Sequence, residues 1–160
     1  MTHYEVQVLT LPVADVDRAL EFYSRRLGFP IDVDYHPSSD YRVVQLTPPR
    51  SACSIQFGIG LTDASPGSAR SNYLVVADLE AAHLELLDRG LQIGPIQHKT
   101  PVGDWQGGLE AGLEPQRRDY ASLATFTDPD GNTWILQEVS RRASEPAAAG
   151  THDPAVNETR

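Results

Sequence analysis

Val13-Ala14-Asp15-Val16-Asp17-Arg18-Ala19-Leu20 and Val76-Ala77-Asp78-Leu79-Glu80-Ala81-Ala82-His83 follow one pattern, 63 positions apart. Each Val-Ala-Asp closes a short apolar run, Val6 to Val13 in the first copy and Tyr73 to Val76 in the second. The runs read as strands and the segments after them as helices. Asp15 and Asp78 stand where a carboxylate accepts hydrogen bonds from the unpaired amides of a first helical turn. Val16, Ala19, Leu20, Tyr23 and Leu27 recur at the helical period and predict one buried face; Gly28 suits a left-handed C-cap. In the second copy Leu79, Ala82, Leu86 and Leu87 are expected to point inward, and Gly90 ends the helix.

Working outward, the remainder of each half reads as three strands. They fall at about Ile31–Tyr35, Tyr41–Thr47 and Ala52–Ile59, then at about Leu91–His98, Tyr120–Thr127 and Thr133–Val139. The element order is βαβββ twice, a repeat that sets the architecture. Residues 99–119 contain Pro101, Gly103, Gly107, Gly108, Gly112 and Pro115 around Trp105. A loop of that length and composition is expected to be a functional flap or an insert. Residues 141–160 carry almost no large apolar side chain and are expected to form a disordered tail. The reading is one domain over residues 1–140, with module one at about 4–62 and module two at about 70–139.

Composition agrees with one folded domain. The chain has 160 residues, 40% of them hydrophobic and 22% charged, enough for a core without cross-links. A single cysteine, Cys53, excludes a disulfide framework and a zinc site built on cysteine pairs. No apolar run reaches membrane-spanning length and the N-terminus has no signal-peptide pattern, so a cytoplasmic protein is expected. The net charge of -9 disfavours nucleic acid and anionic membranes as partners. Lys99 is the only lysine; the sequence alone gives it no role.

Leu11-Pro12-Val13-Ala14-Asp15-Val16-Asp17-Arg18-Ala19-Leu20-Glu21-Phe22-Tyr23, then Leu27-Gly28-Phe29, resemble the opening signature of the glyoxalase/bleomycin-resistance, or vicinal oxygen chelate, superfamily. Phe126-Thr127-Asp128-Pro129-Asp130-Gly131-Asn132 resembles its closing turn. The likeness runs over about residues 4 to 139. It implies an α+β fold of two βαβββ modules whose sheets curl around a shared cleft, with the helices outside. Members include metal-dependent isomerases, lyases and dioxygenases and also metal-free proteins that sequester antibiotics, so the fold alone does not choose.

The resemblance also implies four metal-ligand positions, occupied in catalytic members by His, Gln or Glu. Here they fall on Val8, Gln56, Ser71 and Ile135. Gln56 alone matches, and one Gln does not make a metal site. Gln137 lies two residues beyond Ile135 and shares its side of the strand. No metal or other cofactor is expected; a divalent metal held by an unrecognised ligand set that includes Gln56 is the alternative. His3, His36, His83, His98 and His152 show no pair at metal-site spacing on one strand or helix face.

Strand alternation then predicts the cleft wall. Val6, Val8 and Thr10 share a side, as do Ser71, Tyr73 and Val75, and Thr133, Ile135 and Gln137. The candidate ligand-binding residues are Val8, Gln56, Ser71, Tyr73, Trp105, Tyr120, Ile135 and Gln137. A mostly apolar wall with a few polar points suits an apolar or aromatic small molecule; the same apolar residues would equally fill an interface between modules. Trp105 can stack on a planar ligand. Tyr120 and Arg117 are the catalytic candidates, Tyr120 as proton or hydrogen-bond donor and Arg117 as partner of a carboxylate or enolate oxygen. The expected function is binding of a small molecule, with sequestration or resistance as a use. The alternative is an enzyme of the same superfamily, metal-dependent or working through flap residues. The modules can close on themselves or on a second copy, so a homodimer is left open.

Overall fold

The computed structural model describes residues 2–140; the expected tail at 141–160 lies outside them. The order is β1 (Val8–Thr10), α1 (Val16–Glu21), β2 (Ile31–Ser38), β3 (Tyr41–Leu46), β4 (Ser54–Ile59), β5 (Asn72–Val76), α2 (Leu79–Asp88), β6 (Gln97–Thr100), β7 (Gly108–Ala111), β8 (Ser122–Thr127) and β9 (Thr133–Glu138). Helix α1 continues as a π-helical turn over Phe22–Arg26. Module one forms a sheet of order β1-β4-β3-β2, and module two a sheet of order β5-β9-β8-β6-β7. In each, the first strand runs parallel to the last, β1 with β4 and β5 with β9. The α+β architecture of two βαβββ modules is therefore present, with one strand added to the second. Among the described residues, no helix is long and apolar enough to cross a membrane.

Both helices begin as the sequence predicts. The Asp15 carboxylate accepts from the Arg18 amide and the Asp78 carboxylate from the Ala81 amide. Gly28 and Gly90 take positive φ at the helix ends. Several boundaries differ. The strand expected at Leu91–His98 starts only at Gln97, because Pro95 has no N–H for a ladder. The segment read as an irregular flap contains β7, which pairs antiparallel with β6 from Gln97↔Ala111 to Thr100↔Gly108. Leu87, expected inward, is exposed; Leu79 and Leu86 supply the buried stripe of α2.

One core joins the modules. Val44, Leu46, Ile55 and Phe57 from the first sheet are buried with Ala124, Phe126, Trp134 and Leu136 from the second; α1 contributes Val16 and Ala19, its π-helical continuation Phe22 and Tyr23, and Leu27 follows as the C-cap. The π turn at the end of α1 brings consecutive aromatics inside. The Tyr23 ring lies 5.5 Å from that of Phe57 and 6.0 Å from that of Trp134, so it touches both sheets. Its hydroxyl donates to Asp128 Oδ2 at 2.8 Å and accepts from Trp134 Nε1 at 3.0 Å.

The Asp128–Asn132 turn does more than reverse the chain. Asp128 Oδ1 accepts the amides of Asp130 and Asn132, which shapes the turn. Asn132 Nδ2 then reaches the Pro12 carbonyl, and Asp130 Oδ1 takes the Ala14 amide and the Arg18 guanidinium. The loop before α1 is thus fastened to module two. Gly67 closes the same junction: its φ is +73°, and a Cβ there would lie 1.9 Å from the Asp130 carbonyl oxygen.

With the helices and the core on one face of each sheet, the opposite faces are open. Val33, Tyr35 and Tyr41 are exposed on the first sheet, and Tyr73 and Val75 on the second. Along β5 the burial alternates, exposing Tyr73 and Val75 while Leu74 and Val76 pack against the core.

Candidate functional site

The open face of the second sheet deepens into a cavity of about 370 Å³, lined by Tyr73, Lys99, Val102, Gly103, Trp105, Asp119, Tyr120 and Gln137. The β5–β9 register sets Tyr73 beside Ile135 and Val75 beside Gln137. Tyr73 and Gln137 form the floor. The flap between β6 and β7 carries Val102, Gly103 and Trp105, and the β6–β7 pairing fixes the base of that flap. Three aromatic side chains therefore surround one space.

Tyr120 does not open a strand, as expected, but sits in a turn two residues before β8 with φ +66°. Two hydrogen bonds hold it there. Its amide donates to the Glu138 carbonyl at 2.9 Å, and its carbonyl accepts from Gln137 Nε2 at 2.9 Å. The Gln137 side-chain oxygen accepts no hydrogen bond among the described residues, which leaves an acceptor on the cavity floor.

The loop that presents Tyr120 is clamped by two ion pairs. Glu114, buried, takes the Arg118 guanidinium at Oε1 and the Arg118 and Gln116 amides at Oε2. Glu138, 1% exposed, is held bidentately by Arg117 at 2.7 and 2.6 Å and also accepts the Leu79 amide. Arg117 touches Asp78 at 3.3 Å as well. Hydrogen bonds from Arg117 keep the Glu138 carboxyl below its ordinary range, and those from Arg118 do the same for Glu114. The Arg117 guanidinium is thus committed to β9 and the start of α2. Tyr120 lines the cavity; Arg117 supports the loop behind it.

The other expected residues lie elsewhere. Val8 and Gln56 stand on the first sheet, where Val8 pairs with Ser54, and Gln56 lies between Thr10 and Gln45. Gln56 Nε2 donates to Thr10 Oγ1 at 2.9 Å. Ser71, with φ +55°, precedes β5 and gives its amide to Thr133 Oγ1. Ile135 is half-buried beside Tyr73, outside the cavity lining. The structure therefore brings Tyr73, Trp105, Tyr120 and Gln137 together around the cavity, sets Ile135 beside Tyr73 but off its lining, and leaves Val8, Gln56 and Ser71 outside it.

Sequence reasoning missed Lys99. It is half-buried on β6, and its ammonium lies 4.8 Å from the centre of the Trp105 ring. Its status as the only lysine, at the edge of a Gly-rich segment, was the available signal. Asp119, the cavity's carboxylate, accepts the Ser140 amide and hydroxyl at Oδ1.

The four positions at which the resemblance places metal ligands hold Val8, Gln56, Ser71 and Ile135. Val8 and Ile135 offer no donor atom, Ser71 offers one neutral hydroxyl, and the Gln56 amide nitrogen is turned to Thr10. No carboxylate or imidazole stands among them, so this donor set does not fit a hard or borderline divalent cation. Among the described residues, no three His, Cys, Asp or Glu side chains converge elsewhere.

Known structures with this fold give the comparison. TnmS3, an antibiotic binding protein from Streptomyces sp. CB03234, is 26% identical, with 86% of this chain and 98% of that one covered at a TM-score of 0.64. A glyoxalase/bleomycin resistance protein from the same organism is 25% identical, with 84% and 100% covered at a TM-score of 0.61. A superfamily member from Sphaerobacter thermophilus DSM 20745, 24% identical over 86% and 98% of the two chains at a TM-score of 0.64, shares the fold. No curated protein matches the sequence. A family model, Glyoxalase/Bleomycin resistance protein/Dioxygenase superfamily, matches residues 3–136. Repeat, paired caps, closing turn and two-sheet fold agree with that match, and the chain belongs to the glyoxalase/bleomycin resistance protein/dioxygenase superfamily.

Proposed function

We propose that this protein binds a planar aromatic small molecule in the cavity of module two, without a divalent metal, and so sequesters it. The observation that carries the reading is the convergence of Tyr73, Trp105 and Tyr120 around a space of about 370 Å³, within the size range of small-molecule sites. Trp105 is 87% exposed, so a stacked ligand would cover apolar surface that otherwise faces water. The Gln137 oxygen supplies an orienting acceptor. The mismatch of Val8, Ser71 and Ile135 to metal chemistry supports the metal-free part, and the similarity to TnmS3, an antibiotic binding protein, supports antibiotics as a source of ligands.

The open aromatic face of the first sheet supports a further part of this reading. A second copy would cover Tyr35 and Tyr41 and add a wall to the cavity. Sedimentation velocity reads the dimer directly, and a monomer at all concentrations would remove that wall from the proposal.

The test of binding is calorimetric titration with naphthalene-2-carboxamide, run on the wild type, Trp105→Ala and Arg25→Ala. Saturable binding that Trp105→Ala weakens at least tenfold and Arg25→Ala, at an exposed residue on the helix side, leaves within twofold supports the proposal. Mass spectrometry of the recovered probe checks turnover. A converted probe would instead favour the enzyme reading, and absence of binding would overturn the assignment of this cavity.

A further inference from the structure

The cavity has a fixed charge that none of the bonds described above uses. Lys99 reaches it from β6, and among the described residues no carboxylate lies within 4.0 Å of its ammonium. It lies against the Trp105 face, an attraction that leaves the ammonium in need of water or a counter-ion. Five arginines differ, while Arg26 and Arg70 reach backbone carbonyls. Arg18, Arg42, Arg89, Arg117 and Arg118 all reach carboxylates. Asp119, on the cavity wall, directs Oδ1 to Ser140 instead.

Ligand binding changes the balance at Lys99. An aromatic plate laid against Trp105 would displace water from the ammonium beside that ring. A neutral ligand leaves this desolvation uncompensated, whereas an anionic oxygen replaces the lost water with a charge-assisted hydrogen bond. The ammonium is a compact charge on a flexible stem, suited to one oxygen more than to a bidentate fork. In a chain with 22 acidic and 13 basic residues, no diffuse positive field attracts an anion, so selection of one must come from a local group.

We infer that Lys99 is the specificity-determining residue of this cavity and that its ligands are planar aromatic acids, carrying an ionised carboxylate or acidic phenol. The inference rests on the assignment of the cavity as an aromatic binding site. The acid contacts Lys99 while the ring system stacks among Trp105, Tyr73 and Tyr120. Trp105 then serves twice, as a stacking surface and as the platform that holds the ammonium over the site.

The experiment pairs naphthalene-2-carboxylate with naphthalene-2-carboxamide, which share one ring system and differ in charge. Calorimetric titration at pH 7 is run on the wild type, Lys99→Gln, Lys99→Arg and Trp105→Ala. The expected result is about tenfold tighter binding of the acid by the wild type. Lys99→Gln brings the acid-to-amide ratio near one, Lys99→Arg keeps most of it, and 1 M salt shrinks it. Trp105→Ala weakens both probes. A lysine that merely braces the flap would lower both affinities alike and leave the ratio unchanged, which would overturn the inference. Equal wild-type affinities would also overturn it while the aromatic site stands. Failure of both probes to bind would remove the site and the inference together.

Discussion

Tyr23→Phe isolates the polar bridge between the two modules. The substitution keeps the ring that packs on Phe57 and Trp134 and removes one oxygen from a residue with no solvent exposure. Two hydrogen bonds go with it, to Asp128 at 2.8 Å and from Trp134 at 3.0 Å. Asp128 stays well satisfied, because Asn132 Nδ2 and two backbone amides still donate to it. Trp134 Nε1 does not, and the indole is 3% exposed. A hydrogen bond to a charged group contributes about 1.5–3 kcal/mol, and a buried unpaired donor costs about 1–3 kcal/mol. Taking the lower part of each range gives a loss of about 3 kcal/mol, or roughly 10 °C in melting temperature for a domain of this size. Urea unfolding followed by circular dichroism reads the loss. A change below about 1 kcal/mol would refute the argument that this hydroxyl joins the modules. The pH dependence gives a second reading. Burial, with the Asp128 charge, pushes the Tyr23 phenol well above its ordinary value. Its contribution is complete below about pH 10, the unfolded value, and is lost as the pH rises toward the folded one. The variant should show a flatter alkaline limb than the wild type.

Other consequences are checked by similar means. Gly67→Ala forces a Cβ against the Asp130 carbonyl at positive φ and should cost at least about 2 kcal/mol, read as a lower urea midpoint. The Arg117–Glu138 pair lowers the Glu138 pKa, so its stabilisation is present above the ordinary carboxylate range and is lost as the pH falls below it. Acid titration should show a smaller loss of stability in Glu138→Gln, which starts less stable at pH 7. Arg117→Ala frees the loop behind Tyr120 and should weaken naphthalene-2-carboxamide binding severalfold, with a larger loss of stability than Arg25→Ala, whose residue is exposed.

The readable parts of this chain were local. The Val-Ala-Asp pairs announce both helix starts because a cap and its amides lie within three residues. The Asp128–Asn132 turn is legible as a turn, yet its ties to Pro12, Ala14 and Tyr23 span over a hundred residues and leave no mark on its own composition. Strand β7 was hidden because Gly108-Leu109-Glu110-Ala111 has little β propensity; it pairs because β6 offers an open edge. Arg117 read as a cation near the flap, and its commitment to Glu138 emerges only once β9 and the loop meet. For the site, Tyr73 and Gln137 followed from strand alternation and Trp105 from its place in a Gly-rich segment. Lys99 offered no signal beyond being the only lysine, since a lone lysine has no period and its role depends on the ring folded under it.

The central claim is that aromatic ligands enter the cavity beneath Trp105, and the chain's two tryptophans make it directly measurable. Trp134 is buried and bonded to Tyr23, whereas Trp105 is exposed at the cavity. Their indole N–H resonances, assigned with Trp105→Phe, can be followed by NMR while naphthalene-2-carboxamide is added. The account predicts that the Trp105 signal shifts saturably and the Trp134 signal stays nearly fixed. An unmoved Trp105 signal at saturating probe, or a shift confined to Trp134, would contradict it.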